Sequence, residues 1–377
     1  MGAKLAGGAE ALYERIRDVG ISDIYAKPIL EGCPRVYKDP FSAMASPDRT
    51  RWLRLAGKDI EGASDFEYLS AYFDCVRLMP DIAGKCVFEE EAKILSGEEL
   101  GDMDALEFWK KAVAALFEKN GNFVGYCSTY GVKNLFLPIF CEGVADIPTK
   151  AVFDPVGCLE NKSFVKDRGS LSEFEELVIS KMKKTAPPYI IRAELGNIDF
   201  VRGDHYHCGG FFDRLKRGER LDREEYSALV IFLLWDVISR LGDECVLCLE
   251  VGDDTSCARE LISYLSMRGI CPETHIAMTP ETAGRAKAVA DICLLSPKVS
   301  LDIVLGMEDS AESMERRIRE LLCVYPIHKL RFGGVISDSR MFFAAHTYAR
   351  RIIASALWNI YGDERAAHAI DILFGIK

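Results

Sequence analysis

The sequence predicts an α/β protein and, within that class, a closed (β/α)8 barrel. Three observations carry this. Eight short β-rich runs recur along the 377 residues. After the first two or three, helical stretches of one to three turns or more separate them, as repeated β-α units require. No GxGxxG or GxxxxGK[ST] turn follows any run, which counts against the dinucleotide- and nucleotide-binding forms of the runner-up, an open doubly wound sheet.

Taken in order, residues 5 to 18 read as a helix. A break at Val19-Gly20 leads into a first strand at Ile21–Tyr25, and Pro28 stops it. From residue 39 to 119 there is no good strand. Ser46-Pro47-Asp48 signals a helix start before Arg51–Leu55, Ser64-Asp65 caps a run through Met79, and Met103–Glu118 is periodic. This stretch reads as a helical insertion within a single barrel domain spanning 1–377. The remaining strands are expected at Val132–Phe140, Lys150–Val156, Tyr189–Leu195, Cys245–Val251, Thr274–Met278, Ile292–Leu295 and the run from Phe332. Helices are expected at Ser170–Lys184, Cys257–Met267, Pro280–Ala290 and Glu312–Leu322. The surest is Tyr226–Leu241, where apolar residues repeat at steps of 3 and 1 behind Asp222, Glu224 and Glu225. The final run ends in Ser337-Asp338-Ser339-Arg340 and opens a helix with an apolar stripe through Ile352, Ile353, Ala356, Leu357 and Ile360.

Apolar residues at 49% and charged residues at 28% are ordinary for a globular chain. A net charge of -11 repels phosphate backbones and anionic lipid, so neither nucleic acid nor a membrane is an expected partner. No apolar run reaches the length of a membrane span, and the N-terminus lacks a basic-then-apolar leader, so a cytoplasmic location is expected. The 13 cysteines lie mostly inside apolar runs, as buried thiols do in a reducing compartment. Cys245 and Cys248 form a CxxC within a strand, so their thiols face opposite ways, and no second pair completes a zinc site.

Chemistry in a barrel gathers at the C-terminal strand ends. Those ends read Tyr25-Ala26-Lys27, Glu142, Asp154, Arg192-Ala193-Glu194, Glu250, Thr279-Pro280-Glu281, Ser296-Pro297-Lys298 and Ser337-Asp338-Ser339-Arg340. Arg192, Arg340 and Lys298 are candidates to clamp an anionic substrate, a planar guanidinium matching a carboxylate bidentately. Their alternative is structural pairing with Asp154, Glu194 or Glu281. His205 and His207 form an HxH, a metal-ligand spacing, but among Gly203, Gly209 and Gly210 they read as a surface loop or lid. His346 is placed at the pocket rim, and His275 reads as a structural histidine. Gly333-Gly334 reads as close strand packing.

Asp338-Ser339-Arg340, followed by Phe342-Phe343, Tyr348, Arg350-Arg351 and Ile352, resembles the terminal signature of the uronate (glucuronate) isomerases, barrel members of the metal-dependent amidohydrolase superfamily. Arg51-Trp52 through Gly57, with Gly62-Ala63-Ser64-Asp65-Phe66, resembles the family's helical insertion. Phe212 to Tyr226, with Leu215, Gly218, Leu221 and Glu225, resembles the helix pair before its fifth strand. The resemblance implies aldose-ketose isomerisation of a hexuronate such as glucuronate or galacturonate in sugar-acid catabolism, with a small anionic sugar acid as the partner.

It also implies a divalent cation, zinc in the family, held by an HxH ending the first strand and an Asp ending the eighth. In this chain the HxH positions are Tyr25 and Lys27, and the fifth-strand histidine is Glu250; Asp338 and Arg340 alone are kept. A lysine ammonium repels a cation. The metal site therefore reads as lost, no cofactor is expected, and an ammonium from Lys27 is placed between the carboxylates of Glu250 and Asp338. The catalytic candidates are Asp338, Lys27, Glu250 and Tyr25; the substrate-binding candidates are Arg340, Arg192, Glu194, Lys298 and His346. Activity is expected to be reduced or metal-independent. The alternatives are a non-catalytic sugar-acid-binding barrel and a lysine-dependent lyase or aldolase using Lys27. The sequence leaves the oligomeric state open and is compatible with a homo-oligomer.

Overall fold

The computed structural model describes residues 7–23, 25, 37–45, 47–118, 121–141, 147–252, 254–278, 286–335, 341–362 and 364–376. The chain opens with α1 (Gly7–Arg17) and the two-residue β1 (Ile21–Ser22), followed by α2 (Pro40–Met44), α3 (Pro47–Leu55), α4 (Asp65–Leu78), α5 (Ala83–Ser96), α6 (Ala105–Glu118) and α7 (Phe123–Thr129). Then come β2 (Val132–Pro138), β3 (Thr149–Phe153), α8 (Pro155–Glu160), α9 (Lys162–Lys166), α10 (Leu171–Met182), β4 (Tyr189–Glu194), α11 (His205–Lys216), α12 (Arg223–Leu241) and β5 (Cys245–Glu250). The last part holds α13 (Ser256–Met267), β6 (Glu273–Met278), α14 (Ala286–Cys293), β7 (Val299–Leu305), α15 (Ala311–Val324), β8 (Leu330–Val335), α16 (Phe342–Tyr361) and α17 (Glu364–Leu373).

The eight strands form one sheet in the order β1-β2-β3-β4-β5-β6-β7-β8, and their registered pairs are parallel. Sequential order with helical crossovers is the (β/α)8 barrel the sequence predicts. No helix of the described residues is long and apolar enough to cross a membrane. Among the described residues, the stretch from 39 to 118 carries five helices, as expected.

One strand is misplaced by the sequence reading. Ile292 and Cys293 are buried on the last turn of α14, and Leu294 is exposed in the turn that follows. The seventh strand is Val299–Leu305, an apolar run interrupted by one acid. Short apolar runs fit strand and helix alike, and here the helix won. As a result Lys298 precedes its strand instead of ending it.

The contacts divide the chain into two compact units. One comprises Met1–Asn134, Val304–Arg319 and Gly334–Lys377. In it α16 is buried along most of its length and packs on α1 and α5, with Phe343 stacked on Tyr130 at 4.9 Å between ring centroids. The Arg350 guanidinium donates to the carbonyls of Arg17, at 2.6 Å, and Val19, capping the end of α1. Burial pulls its pKa down to about 10. In the helical stretch, Arg49 forms a fully buried ion pair with Glu91 and lies over the Tyr72 and Phe88 rings at 5.5 and 5.2 Å.

The other unit comprises Leu135–Ile303 and Glu320–Gly333. Its register is continuous: Arg192 aligns with Cys248, Glu194 with Glu250, Cys248 with His275, His275 with Ser300, and Ala277 with Asp302. Aligned residues of neighbouring strands point to the same face. One face thus carries Arg192, Glu194, Cys248, Glu250, His275 and Asp302. The other carries Ile191, Ala193, Leu247, Leu249, Ile276 and Leu301, which suits contact with the outer helices.

Candidate functional site

At the C-terminal ends of β3, β4 and β5 the polar face ends in three acids and a guanidinium. Each is placed by its strand. Asp154 directly follows β3 and caps α8, its Oδ1 accepting the Gly157 N–H at 3.1 Å. Arg192 and Glu194 close β4, and Glu250 closes β5. Arg192 Nε donates to Glu250 Oε1, and both side chains are buried. In a buried pair of this kind the attraction between the charges offsets the cost of desolvating them, and removing either partner leaves an uncompensated buried charge.

The electrostatics of the group are lopsided, with three carboxylates facing one cation. Burial pushes the Asp154 carboxyl up, the Gly157 N–H pulls it down, and the charges of Glu250 and Glu194 raise it again, leaving it at about 6. The Glu194 carboxyl is likewise raised, by loss of water around it first and by Glu250 second, with Arg192 opposing. Glu194 is the member whose side chain reaches solvent. An acid half-ionised near pH 6 at a strand end has the properties of a general acid-base.

Deeper on the same face lies a second polar group. His275 Nδ1 lies 2.8 Å from Ser300 Oγ and 3.3 Å from Asp302 Oδ1, and Nε2 lies 3.1 Å from Glu273 Oε1. Burial lowers its pKa, but the bonds to Asp302 and Glu273 outweigh burial and the opposing charge of Arg331, pushing it up to about 9. His275 is the structural residue the sequence suggests.

In the first unit, Asp23 follows β1 and is buried. Its Oδ1 accepts the Tyr25 N–H at 2.8 Å, and its Oδ2 accepts the Val335 N–H at 2.9 Å and lies 2.6 Å from His346 Nε2. Gly334 makes room for this: a Cβ there would stand 2.1 Å from Asp23 Oδ1, and its φ of +139° suits glycine alone. The close packing expected of Gly333-Gly334 is therefore packing against a carboxylate.

Of the predicted residues, Arg192, Glu194 and Glu250 come together. Glu250 is paired with Arg192, a cation from the neighbouring strand. Tyr25 is buried beside Asp23. His346 is also buried, on Asp23, and does not stand at a rim. Lys298 lies before β7 and reaches Asp243, just before β5, at 3.3 Å; both stand at N-terminal strand ends, so it cannot join the C-terminal ring. Lys27, Asp338 and Arg340 lie outside the described residues, as do Glu142 and Glu281.

His205 and His207 are in the first turn of α11, not in a loop, because Asp204 caps that helix and accepts the His207 N–H at 2.9 Å. Two residues apart on a helix they diverge: His205 Nε2 is 3.1 Å from Ser172 Oγ, and His207 Nδ1 is 2.7 Å from Asp204. Among the described residues no three His, Cys, Asp or Glu side chains are grouped to hold a metal ion. Of the positions the resemblance gives to the cation, Tyr25 and Glu250 are described, and Glu250 is bonded to the Arg192 guanidinium.

Sequence reasoning placed Asp154 at a strand end but missed it as a catalytic candidate, and it missed two buried acids that hold other groups, Asp23 and Asp302. Asp23 had a signal in a side-chain-free glycine near the other end of the chain, which only pairing in space reveals. Asp302 had one in its place as a lone acid within an apolar heptad of residues.

No family model matches the sequence, and no curated protein matches it. The fold, however, matches solved structures along nearly the whole chain. A glucuronate isomerase from Caulobacter crescentus superposes with a TM-score of 0.75 at 14% identity, covering 100% of this chain and 94% of that one. A uronate isomerase from Thermotoga maritima gives 0.73 at 15% identity, covering 97% and 95%. A protein described as a metal-dependent hydrolase, from Lactobacillus casei, gives 0.56 at 13% identity, covering 96% and 94%. At these identities the likeness establishes the shared barrel fold.

Proposed function

We propose that the chain is a uronate-isomerase-like enzyme interconverting the aldose and ketose forms of a hexuronate, by proton transfer that does not depend on a tightly bound divalent metal. The observation that carries this is the group at the ends of β3 to β5: Asp154, with a carboxyl near pKa 6, beside the Arg192–Glu250 pair. The likeness to the two isomerases supports the substrate class.

Isomerisation moves a proton from one carbon to the adjacent one, while the hydroxyl proton of the first carbon passes to the carbonyl oxygen of the second, so that the alcohol and the carbonyl exchange places. Asp154 as a carboxylate takes the proton and as a carboxylic acid returns it. Negative charge develops on the substrate's carbonyl oxygen, and the Arg192 guanidinium is the cation in this group placed to oppose it. Glu194 and Glu250 repel a carboxylate, so this wall meets the sugar's hydroxyls.

The test is turnover of glucuronate and galacturonate with and without chelator. Turnover is expected to persist in chelator, to fall as pH drops through about 6, and to drop by at least about a hundredfold in Asp154→Asn. Loss of turnover in chelator, or full activity in that variant, overturns the reading.

A further inference from the structure

Helix α6 buries Phe108, Ala112 and Leu116 against its neighbours α4 and α5. An ordinary surface helix would be polar on its remaining side. This one is not: Leu106, Val113 and Phe117 are exposed, Phe117 at 85%. Residues 106, 110, 113 and 117 follow one another at spacings of 3 and 4 and so share a face. Lys110 lies within this stripe and Glu118 at its end, both exposed. Among the described residues neither makes an ion pair, whereas Lys111, one position along, reaches Glu98 at 2.7 Å and Glu107 at 2.8 Å.

We propose that this face docks a second copy of the chain, the two α6 helices lying antiparallel about Ala114. Ala114 is small and exposed, which lets two helix axes approach. At 1.5 Å per residue Lys110 and Glu118 stand about 6 Å on either side of it. A two-fold axis at that point brings Lys110 of each copy level with Glu118 of the other, so two charges with no ion-pair partner among the described residues complete each other across the contact. It also lays each Phe117 over Val113 and Ala114 of the other copy. The apolar surface extends to the end of α4, because Arg77 Nη2 bonds the Met103 carbonyl at 2.8 Å and sets that end, with Leu78 at 89% exposure, beside the start of α6. A single helix pair with this extension is small for an interface, so the dimer is weak and concentration-dependent.

Sedimentation velocity of the full chain from about 1 to about 200 µM tests this. The unmodified protein is expected to pass from monomer to dimer across that range. Phe117→Asp is expected to weaken association about a hundredfold. Lys110→Glu and Glu118→Lys each weaken it about tenfold, and the two together restore it to within about threefold. These side chains are exposed, so thermal midpoints matching the unmodified chain separate lost docking from lost folding. A monomer throughout, a dimer indifferent to Phe117→Asp, or a charge exchange that fails to restore association overturns the proposal.

Discussion

His275 shows how far one buried residue can set a property of the protein. Its imidazole is 3% exposed and held between Asp302 and Glu273, with a pKa of about 9 against the usual 6.5. A folded pKa above the unfolded one stabilises fully below the unfolded value and is lost as pH rises through the folded one. Stability should therefore fall between about pH 6.5 and about 9, by about 3 kcal/mol at roughly 1.4 kcal/mol per unit. His275→Gln should flatten this window, as read from denaturation midpoints at several pH values; an unchanged slope would show that another group titrates there. The sequence displayed His275 as structural, because a lone histidine in an apolar strand needs partners. It did not display Asp302, since register with β7 had been assigned to the wrong segment. Nor did it display that Glu250 meets Arg192, because that bond depends on the alignment of two strands 58 residues apart.

Elements were legible where their local signals agreed. Helix α12 has apolar residues in helical steps, acids in its first turn and a full capping box: Asp222 accepts the Glu225 N–H at 2.8 Å and Glu225 accepts the Asp222 N–H at 3.0 Å. Asp222→Ala is expected to cost about 1 kcal/mol, read as a lowered thermal midpoint with unchanged overall helicity. Glu225→Ala should cost more, because Glu225 also receives Arg214 at 2.5 Å. Elements were illegible where burial overrode pattern. Ile292-Cys293-Leu294-Leu295 looks like a strand, yet two of its apolar side chains finish the buried face of α14. The true β7 hides an acid in its middle, which reads from sequence as a break.

For the molecule as a whole, the count of eight β-α units was enough to give the barrel, since the order and handedness of such units leave few alternatives. The cysteines make a matching statement about burial. Of those described, Cys323 is the one that is exposed. Burial raises the thiols of Cys158, Cys248 and several others, so they resist reaction. A thiol reagent should show a fast phase that Cys323→Ser reduces by one equivalent, and all 13 cysteines should react after denaturation. A fast phase of the same size in that variant would contradict the burial described.

Asp23 has a consequence for how such a ring is made. A ring of strands has a seam where the first-made and last-made pieces meet. Here a side chain spans it: the Asp23 carboxylate holds the end of β1 to Val335 at the end of β8 and to His346 on the helix after it. The first strand is two residues long and offers little ladder of its own. During synthesis, the N-terminal piece must wait for more than 300 residues before its acid finds these donors. The joint forms late, and no product that ends before Val335 contains both halves of it.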